Sequence, residues 1–370
     1  MLSNKELERY SRHIIMPEVG ADGQEKLKNA KVLVIGAGGL GSPVLLYLTA
    51  AGVGNIGIVE FDTVSISNLQ RQILFTTQDI GELKADVAEK KLSAMNPHVN
   101  FTIYNERLEK ENALNIFKDW DIVVDCSDNF PTRFLVSDAT VILNKVLVYG
   151  AIFKFEGQVS VFNYKGGPTY RCLFPEQPQE SEIPSCSTIG VIGVIPGIIG
   201  TMQASEVIKI ILEKGEVLSG VLVMFDALNF DMNKINFLRN ETSANVSELG
   251  EYEISCKNEV LINNLLPKEL NNMLLSKAEI KIFDLREPHL FNDYNIGGEN
   301  IDIENIYNNP ELLPKKGKII FVCEFGQKSK YLVEYIQEKE NVDNIYNLKG
   351  GISAWIKAGF GVGKNCFTLK

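Results

Sequence analysis

The sequence has little of what several large classes of protein require. Six of its 370 residues are cysteine, with no CxxC pair, which is too sparse for a disulfide-rich domain and is typical of a reducing compartment. A basic surplus is also missing, because 37 Lys and Arg stand against 47 Asp and Glu, for a net charge of −10. That balance argues against a nucleic-acid partner, which requires a basic surface to displace counterions from phosphates.

Long apolar segments are missing as well. The longest run covers residues 189–199, contains glycine and proline, and is too short to span a bilayer. No apolar stretch precedes the first charged residues, so we predict no signal peptide, no membrane partner and a cytoplasmic location. The 45% of hydrophobic and 23% of charged residues are ordinary for a globular protein, and the length favours two or three domains.

The acidic surplus is confined to the first two thirds of the chain. Residues 257–370 contain 15 basic and 15 acidic residues, which leaves 22 basic and 32 acidic residues in 1–256. A polar stretch without hydrophobic periodicity, residues 239–257, lies where the charge balance changes. We therefore predict two domains, residues 1–245 and 262–370, joined by a linker at 246–261.

The order of predicted strands and helices favours a doubly wound α/β fold. The first strand, KVLVI, is a continuous apolar run typical of a parallel sheet buried on both faces. In the first domain the predicted elements are strands 31–35, 55–60, 121–125 and 146–151 and a helix at 43–51. In the second they are strands 280–284 and 318–323 and helices 267–275 and 329–339. Alternating strands and helices of this kind predict α/β architecture in both domains.

A glycine-rich turn follows the first strand. GAGGLG fits the pattern G-x-G-x-x-G, in which glycines let a phosphate approach the backbone and a helix N-terminus offers free N–H groups. Glu60 ends the second strand, 19 residues after Gly41, where an acid can accept a hydrogen bond from a ribose hydroxyl. The alternative is a glycine turn that serves only helix–strand packing. The residues predicted to bind a nucleotide here are Gly36, Gly38, Gly39, Gly41 and Glu60.

Polar residues beyond the strands narrow the choice of nucleotide. Asn68 and Arg71 follow the second strand, Lys84 lies on the next segment, and Asp128 comes just after the strand at 121–125. Two cations and an acid suit a triphosphate with Mg²⁺, the acid binding the metal and the cations binding phosphate oxygens. The pyrophosphate of a dinucleotide carries only two charges, so this set disfavours the alternative of an NAD-binding oxidoreductase.

These segments resemble the ThiF/MoeB/HesA family of ATP-dependent adenylyltransferases, the bacterial relatives of ubiquitin-activating enzymes, from about residue 5 to 240. The resemblance is carried by several motifs that are specific to the family. They are RYSRHI (9–14), GAGGLG (36–41), FDTVSISNLQRQ (61–72), DCSDN (125–129), EGQVSVF (156–162), YRCLFP (170–175) and SCSTIGVIGVIPGIIGTMQASEVIK (185–209).

The resemblance implies roles for individual residues. Gly39 would contact the phosphates, and Glu60 the ribose, at a position where the family usually has Asp. The triphosphate would be held by Asn68, Arg71 and Lys84, and Mg²⁺ by Asp128. Arg12 would reach into the site of a second subunit, which implies a homodimer.

The implied reaction is attack by a carboxylate on the α-phosphorus of ATP, with release of pyrophosphate. In the family that carboxylate is the C-terminal Gly-Gly end of a small ubiquitin-like sulfur-carrier protein. The protein's task in such a transfer is largely positioning and charge neutralisation. ATP and Mg²⁺ are therefore the expected cofactors.

The family pattern fails at one place. Its members usually carry two CxxC pairs that hold a structural zinc, whereas this chain retains only Cys172 and has no CxxC after residue 240. One cysteine and three scattered histidines cannot complete a tetrahedral site, so we predict no zinc.

Two cysteines are candidates for carrying sulfur. Cys186 lies in a segment rich in proline, serine and glutamate, where the resemblance implies a cysteine that can join covalently to the activated carrier. The alternative is a small apolar residue at a loop end. Cys323 ends a predicted strand and opens the loop CEFGQKS ahead of a helix, where N–H groups and the helix N-terminus favour the thiolate.

The loop after Cys323 resembles the persulfide loop C-x-x-G-x-R-S of rhodanese domains, with Lys328 in place of the usual Arg. The resemblance covers about residues 262–360 and includes FDLREPHLF (283–291), NIGGENIDI (295–303) and LKGGISAW (348–355). Together with the resemblance of the first domain, it implies a Rossmann-like doubly wound sheet of the ThiF/MoeB type followed by a smaller α/β rhodanese domain.

The two resemblances together predict an adenylyltransferase–sulfurtransferase. The first domain would adenylate the C-terminal glycine of the carrier. The second would take sulfur as a persulfide on Cys323, from thiosulfate or a cysteine desulfurase persulfide, and deliver it to give a carrier thiocarboxylate. The alternative from a different class is a non-catalytic protein that binds a ubiquitin-like partner without turnover.

Overall fold

The computed structural model describes residues 1–178, 190–252, 263–276, 278–308, 313–314, 317–340 and 344–363. The chain divides into two compact units, Met1–Ile254 and Ser255–Lys370. Cys186 and the other residues between 178 and 190 lie outside the described residues.

The first unit is built on one eight-stranded sheet with the order β3-β2-β1-β4-β5-β6-β7-β8. The strands are β1 (Lys31–Ile35), β2 (Asn55–Val59), β3 (Asn100–Tyr104), β4 (Ile122–Asp125), β5 (Val146–Phe153), β6 (Glu156–Phe162), β7 (Val221–Asp226) and β8 (Asp231–Asn236). The first five strands in this order, β3-β2-β1-β4-β5, pair in parallel. The remaining pairs, from β5 through β6 and β7 to β8, are antiparallel. The predicted doubly wound fold is confirmed, with an antiparallel extension that was not predicted.

Helices cover both faces of this sheet. They are α1 (Asn4–Arg9), α2 (Ser11–Ile14), α3 (Gly20–Asn29), α4 (Gly41–Ala51), α5 (Lys84–Met95), α6 (Lys110–Phe117), α7 (Phe130–Ile142), α8 (Tyr170–Leu173), α9 (Val194–Leu212) and α10 (Glu241–Ala244), with 3₁₀ turns at Ile66–Asn68 and Thr77–Asp79. Successive side chains of β1 point to opposite faces, so Val32 and Val34 belong to one apolar cluster and Leu33 and Ile35 to the other. Burial on both faces explains why this strand is a continuous apolar run.

The helix α9 is long and apolar enough, by length and composition, to cross a membrane. Half of its most apolar stretch of 18 residues is buried inside the protein. It packs on α4 and on β5 and β6, and its buried residues include the polar side chains of Gln203 and Glu206. These contacts are those of a core helix of the first unit.

Two strands that the sequence did not predict lie at the edges of the sheet. No residue of β3 is fully buried, and all six residues of β8 are exposed. Neither strand therefore carries the apolar run that makes a buried strand recognisable.

The second unit has a five-stranded, all-parallel sheet with the order β11-β10-β12-β13-β9. Its strands are β9 (Asn264–Leu265), β10 (Ile280–Asp284), β11 (Glu299–Asn300), β12 (Lys318–Val322) and β13 (Ile345–Leu348). Its helices are α11 (Pro267–Leu275), α12 (Pro288–Asp293), α13 (Ile303–Asn308), α14 (Gln327–Glu340) and α15 (Gly351–Lys357). Alternate residues of β12 enter two apolar clusters, one on each face, so this unit is also α/β as predicted.

Candidate active sites

The glycine turn lies between β1 and α4, at the point where the order of strands reverses. From β1 the chain continues to β2 on one side, while β4 pairs with β1 on the other side. Gly36 has φ of +90°, and its N–H donates to the Val59 carbonyl at 2.8 Å. A side-chain carbon at Gly41 would lie 2.0 Å from the Gly36 carbonyl oxygen. Glycine is therefore required at both ends of the turn, at the edge of the sheet where such folds bind ligands.

The middle of the turn is closely covered by other side chains. A side-chain carbon at Gly38 would lie 3.4 Å from Gln72 Nε2, and one at Gly39 would lie 3.6 Å from Arg71 Cγ. Pro196, in the first turn of α9, also approaches Gly39. The structure thus brings Arg71 next to the backbone predicted to contact phosphates.

Glu60 joins the glycine turn to the end of β2. Its carboxylate is buried and accepts hydrogen bonds from three backbone N–H groups. Oε2 accepts from Ala37 at 3.0 Å, and Oε1 accepts from Phe61 and Asp62 at 2.9 Å each. A carboxylate has about four acceptor positions, so Oε2 retains capacity for the ribose hydroxyl that the sequence predicted.

Lys84, the first residue of α5, is buried although it carries a charge. Its Nζ lies 3.1 Å from Asp62 Oδ2, and its backbone N–H donates to the Asp62 carbonyl at 2.9 Å. Asp62 is half exposed and was not among the predicted site residues. Because Asp62 lies two residues after Glu60, this ion pair places the ammonium group beside the strand end that holds the glycine turn.

The other predicted phosphate-binding residues lie on the segment after β2. Arg71 Nη1 donates to the Ser67 carbonyl at 3.1 Å, and Asn68 Oδ1 accepts from the Ser65 N–H at 3.3 Å. Both side chains are partly exposed, so each retains capacity for a ligand.

The residues after β4 lie on the other side of the glycine turn, at the point where the order of strands reverses. The position of a side-chain carbon at Gly36 lies 3.1 Å from the Cys126 carbonyl, which shows how close this segment comes to the glycine turn. Asp128 is exposed, and Asn129 caps α7 by accepting from the Thr132 N–H at 2.9 Å. An exposed carboxylate near a proposed triphosphate site suits a Mg²⁺ ligand.

Four buried polar residues at and around the end of β4 were not predicted as site residues: Asp125, Ser127, Arg133 and Gln203. Asp125 is 1% exposed, and burial raises the pKa of its carboxyl, although Arg133 and Ser127 lower it. Gln203 donates from Nε2 to the Asp125 carbonyl at 2.8 Å. The sequence signal for Gln203 was a lone amide in the apolar stretch of α9, since a polar side chain there needs a buried partner.

Two further predicted residues lie at the surface or outside the part of the chain that the structure describes. Arg12 is exposed on α2, and its role in a second subunit stays a prediction. The same holds for Cys186, which lies outside the described residues.

Cys172, the cysteine retained from the zinc pattern, is engaged in hydrogen bonds. Its Sγ accepts from the N–H groups of Asn240 at 3.3 Å and Thr169 at 3.4 Å. Over the described residues, no group of three or more His, Cys, Asp or Glu side chains is arranged to hold a metal ion. The residues around Cys172 therefore do not fit a tetrahedral zinc site.

In the second unit, Cys323 directly follows β12 and is 5% exposed. Its Sγ lies 3.2 Å from Ser329 Oγ and accepts from the Ser329 N–H at 3.4 Å. Ser329 is in the first turn of α14, so the predicted contact between the thiol and a helix N-terminus is present. Cys323 also belongs to a buried apolar cluster of this unit.

The loop after Cys323 is anchored by charged groups. Glu324 accepts from Arg286 Nη1 at 3.2 Å, from the Tyr294 hydroxyl at 3.2 Å and from Ser353 Oγ at 3.0 Å. Burial lowers the pKa of Arg286, but Asp284 and Glu324 outweigh it, so the net shift is upward. Lys328, which replaces the expected Arg, donates from Nζ to a backbone carbonyl at 3.2 Å.

Comparison with known proteins assigns a family to each unit. Residues 10–246 match the ThiF family, and residues 266–358 match the rhodanese-like domain. The sulfur carrier protein adenylyltransferase of Thermus thermophilus is 50% identical over 265 residues, which cover 69% of this chain and 98% of that protein. The probable adenylyltransferase/sulfurtransferase MoeZ of Mycobacterium tuberculosis is 39% identical over 370 residues, covering 96% of this chain and 94% of that protein.

Solved structures agree with this assignment at the level of the fold. The crystal structure of E. coli MccB with ATP has a TM-score of 0.57 and 23% sequence identity, and covers 65% of this chain and 74% of that chain. At this identity the likeness shows the fold alone. The predicted resemblance to both families is confirmed by the family matches.

Proposed function

This chain belongs to the ThiF family and carries a rhodanese-like domain, and from that premise we propose that it converts the C-terminal Gly-Gly carboxylate of a small ubiquitin-like sulfur carrier into a thiocarboxylate. It is an enzyme of the adenylyltransferase/sulfurtransferase type, as relatives of that name match nearly its whole length. The observation that carries this proposal is the approach of Arg71 to Gly39 in the glycine turn, whose backbone is bound by Glu60.

The first unit is proposed to carry out the adenylation. An oxygen of the carrier carboxylate attacks the α-phosphorus of ATP, the bond to the β-phosphate breaks, and pyrophosphate leaves. Arg71 and Lys84 would neutralise the charge that develops on the leaving phosphates, and Asn68 would hold them by hydrogen bonds. Asp128 would bind Mg²⁺, which supplies further neutralisation when it is bound.

The free edge of the sheet is the proposed docking place of the carrier. All six residues of β8 are exposed, including Met232 and Ile235, and Phe230 and Leu238 flank the strand with 82% and 88% exposure. An exposed edge strand that carries and adjoins apolar side chains is suited to pairing with a strand of another protein. This surface would hold the body of the carrier while its C-terminus reaches the ATP site.

The second unit is proposed to supply the sulfur. Cys323 would accept a sulfur atom from thiosulfate or from a cysteine desulfurase persulfide and hold it as a persulfide. The Cys186 thiolate then attacks the outer sulfur, the S–S bond breaks, and its electron pair returns to Cys323 Sγ. The outer sulfur of the Cys186 persulfide so formed attacks the carbonyl carbon of the acyl-adenylate, and AMP leaves. An external thiol reductant attacks Cys186 Sγ, the bond from Cys186 to the transferred sulfur breaks, and the thiocarboxylate is released, leaving a mixed disulfide on Cys186 that a second reductant thiol reduces. We further propose a cytoplasmic homodimer in which Arg12 completes the site of the other subunit.

Pyrophosphate exchange tests the adenylation step. We expect ATP–pyrophosphate exchange with a carrier ending in Gly-Gly, and none with the same carrier lacking its last glycine or with the Arg71→Ala enzyme. Undiminished exchange in the Arg71→Ala enzyme would contradict the proposed site. Absence of exchange in the wild-type enzyme with every such carrier would favour a non-catalytic or NAD-binding protein instead.

Mass spectrometry of the carrier tests the sulfur step. Conversion of the terminal carboxylate to a thiocarboxylate replaces one oxygen by sulfur, which is directly visible in the carrier mass. We expect Cys323→Ala to abolish this conversion while exchange continues. The reason is that the sulfur step depends on a cysteine of the second unit, whereas ATP–pyrophosphate exchange uses the first unit. Thiocarboxylate formation at the wild-type rate in Cys323→Ala would exclude Cys323 as the sulfur-bearing residue.

A further inference from the structure

A buried hydrogen-bond chain leads away from Cys323 across the sheet of the second unit. Cys323 Sγ lies 3.2 Å from Ser329 Oγ, and Ser329 Oγ donates to Asn347 Oδ1 at 2.7 Å. Asn347 in turn donates from Nδ2 to Asn264 Oδ1 at 2.7 Å. Ser329 is 0% exposed and Asn347 is 2% exposed, so solvent does not compete for these groups. The chain connects the start of α14 with β13 and β9.

The number of protons that each group can donate determines the direction of the hydrogen bonds in this series. A serine hydroxyl has one proton, and here that proton is donated to Asn347 Oδ1. The bond from Asn347 to Asn264 holds the amide so that Oδ1 faces the serine. Ser329 Oγ therefore presents a lone pair to Cys323 and accepts the thiol S–H. Once the sulfur has lost its proton, the hydroxyl can turn and donate to it over the same 3.2 Å.

Sulfur transfer returns negative charge to this sulfur atom. In the persulfide form, Cys323 Sγ is bonded to an outer sulfur. An acceptor nucleophile attacks the outer sulfur, a new bond to the acceptor forms, the S–S bond breaks, and its electron pair returns to Sγ as a thiolate. A buried charge is costly unless hydrogen bonds satisfy it. The Ser329 N–H supplies one such bond at 3.4 Å, and the Ser329 hydroxyl can supply a second.

The charged groups around the loop are engaged elsewhere. Glu324 is held by Arg286, which also pairs with Asp284 at 2.9 Å. Lys328 donates from Nζ to the Leu285 carbonyl. In the part of the chain that the structure describes, both polar contacts to Cys323 Sγ come from Ser329.

We infer that Ser329 is a catalytic residue of the sulfur-transfer half, whose hydroxyl stabilises the Cys323 thiolate as it leaves the transferred sulfur. Asn347 is a positioning residue that holds the hydroxyl proton between turnovers, and Asn264 orients Asn347. This inference rests on the proposed function, because it requires that Cys323 carries the persulfide.

Discharge of the persulfide by cyanide isolates the step. The full-length enzyme is loaded with thiosulfate and mixed with cyanide, and the rate of thiocyanate release is measured. We expect Ser329→Ala to slow this release about tenfold to a hundredfold, the effect of losing one hydrogen bond to a charged group, with little change in the KM for cyanide. Ser329→Thr retains a hydroxyl and should recover most of the rate. ATP–pyrophosphate exchange, which uses the first unit, should be unchanged in both variants.

A double-mutant cycle tests the positioning chain. Asn347→Ala should change the release rate in the wild-type background and have no further effect in the Ser329→Ala background, because it acts through the hydroxyl. Equal effects in both backgrounds would overturn the role of Asn347. An unchanged rate in Ser329→Ala would overturn the role of Ser329. Persistence of thiocyanate release in Cys323→Ala would overturn the proposed function of Cys323 as the persulfide-bearing residue. That outcome is distinguishable from failure of the role of Ser329.

Discussion

Arg171 holds the carboxylate of Asp138 with two hydrogen bonds of 2.7 Å each, one to each oxygen. The Tyr252 hydroxyl donates to the same carboxylate at 2.7 Å. Asp138 lies in α7 and Arg171 in α8, so the three side chains join two helices to the end of the first unit. Hydrogen bonding to Asp138 raises the pKa of Arg171, and burial together with Asp138 raises that of Tyr252.

Removal of the Asp138 charge should destabilise the first unit. Asp138→Asn leaves Arg171 partly buried without its counter-ion, and breaking such a pair costs about 3–5 kcal/mol. Tyr252→Phe removes one hydrogen bond and should cost only about 1 kcal/mol. Urea unfolding followed by a probe in the first unit measures both. As a control, Glu241→Gln breaks the exposed pair with Arg239 and should cost less than about 0.5 kcal/mol. Equal losses in all three variants would show that the buried network contributes nothing special.

Metal chelation should leave the stability of the enzyme unchanged. Cys172 accepts hydrogen bonds from Thr169 and Asn240 at the position where the family pattern usually has a zinc ligand, and the neighbouring Asp138 network already connects α8 to its surroundings. We expect less than one tenth of a zinc ion per chain by metal analysis, and the same melting temperature before and after dialysis against a chelator. One zinc per chain would show that residues outside the described ranges complete a site.

Acid should weaken the attachment of the N-terminal helix through Glu6. Burial raises the pKa of Glu6, but hydrogen bonds from Lys28 and Ser3 outweigh it and lower the pKa from 4.5 to about 2. Because the folded-state pKa is the lower one, this stabilisation is complete above pH 4.5 and is lost as the pH falls towards 2. The difference in melting temperature between wild type and Glu6→Gln should therefore shrink over that range. Glu8→Gln removes a carboxylate from the exposed face of the same helix and is the matched control. A difference that stays constant with pH would exclude this role.

Lys84 should be essential for adenylation, in contrast to another lysine of the same helix. Lys84→Met removes the buried ammonium beside Asp62 and should lower pyrophosphate exchange at least about a hundredfold, because electrostatic groups at phosphoryl transfer contribute on that scale. Lys91 of α5 is also paired with an acid, Asp79. Lys91→Met should keep exchange within about threefold of wild type, since this partly buried ammonium group contacts Asp79 and the Leu74 carbonyl rather than the strand end that holds the glycine turn. Similar losses in both variants would point to the stability of α5 rather than to phosphate binding.

An alanine at Gly41 should not be tolerated. Its side-chain carbon would lie 2.0 Å from the Gly36 carbonyl oxygen, so the glycine turn would have to open. We expect Gly41→Ala to lower the melting temperature and abolish ATP-dependent exchange. At Gly197, inside α9, the same change meets no atom within 4 Å and should stabilise the helix by up to about 1 kcal/mol. Wild-type exchange in Gly41→Ala would show that the turn adapts.

Local patterns in the sequence predicted the elements around the proposed nucleotide site. The strand Lys31–Ile35 has the same limits in the structure as in the prediction, because its apolar run is buried on both faces. The helix after the glycine turn begins at Gly41, two residues earlier than predicted, since the last glycine of the motif forms its first turn. Family motifs supplied Arg71, Lys84 and Asp128, and their roles stay predictions that the exchange assays test.

Contacts between distant segments could not be predicted in the same way. Lys84 and Asp62 are 22 residues apart, Asp138 and Tyr252 are 114 apart, and none of these pairs has a sequence signature. The edge strands β3 and β8 were missed because partial exposure removes the apolar pattern by which buried strands are recognised.

The sequence by itself determined two α/β domains, a glycine turn between a strand and a helix, and a cysteine at the end of a strand, because these depend on local backbone preference and hydrophobic period. Only the tertiary structure decided which side chains meet. It placed Arg71 against Gly39, and it placed Asn347 behind Ser329 and Cys323. Such pairings follow from how strands are ordered in a sheet, and that order is set by the packing of the whole unit rather than by any short segment.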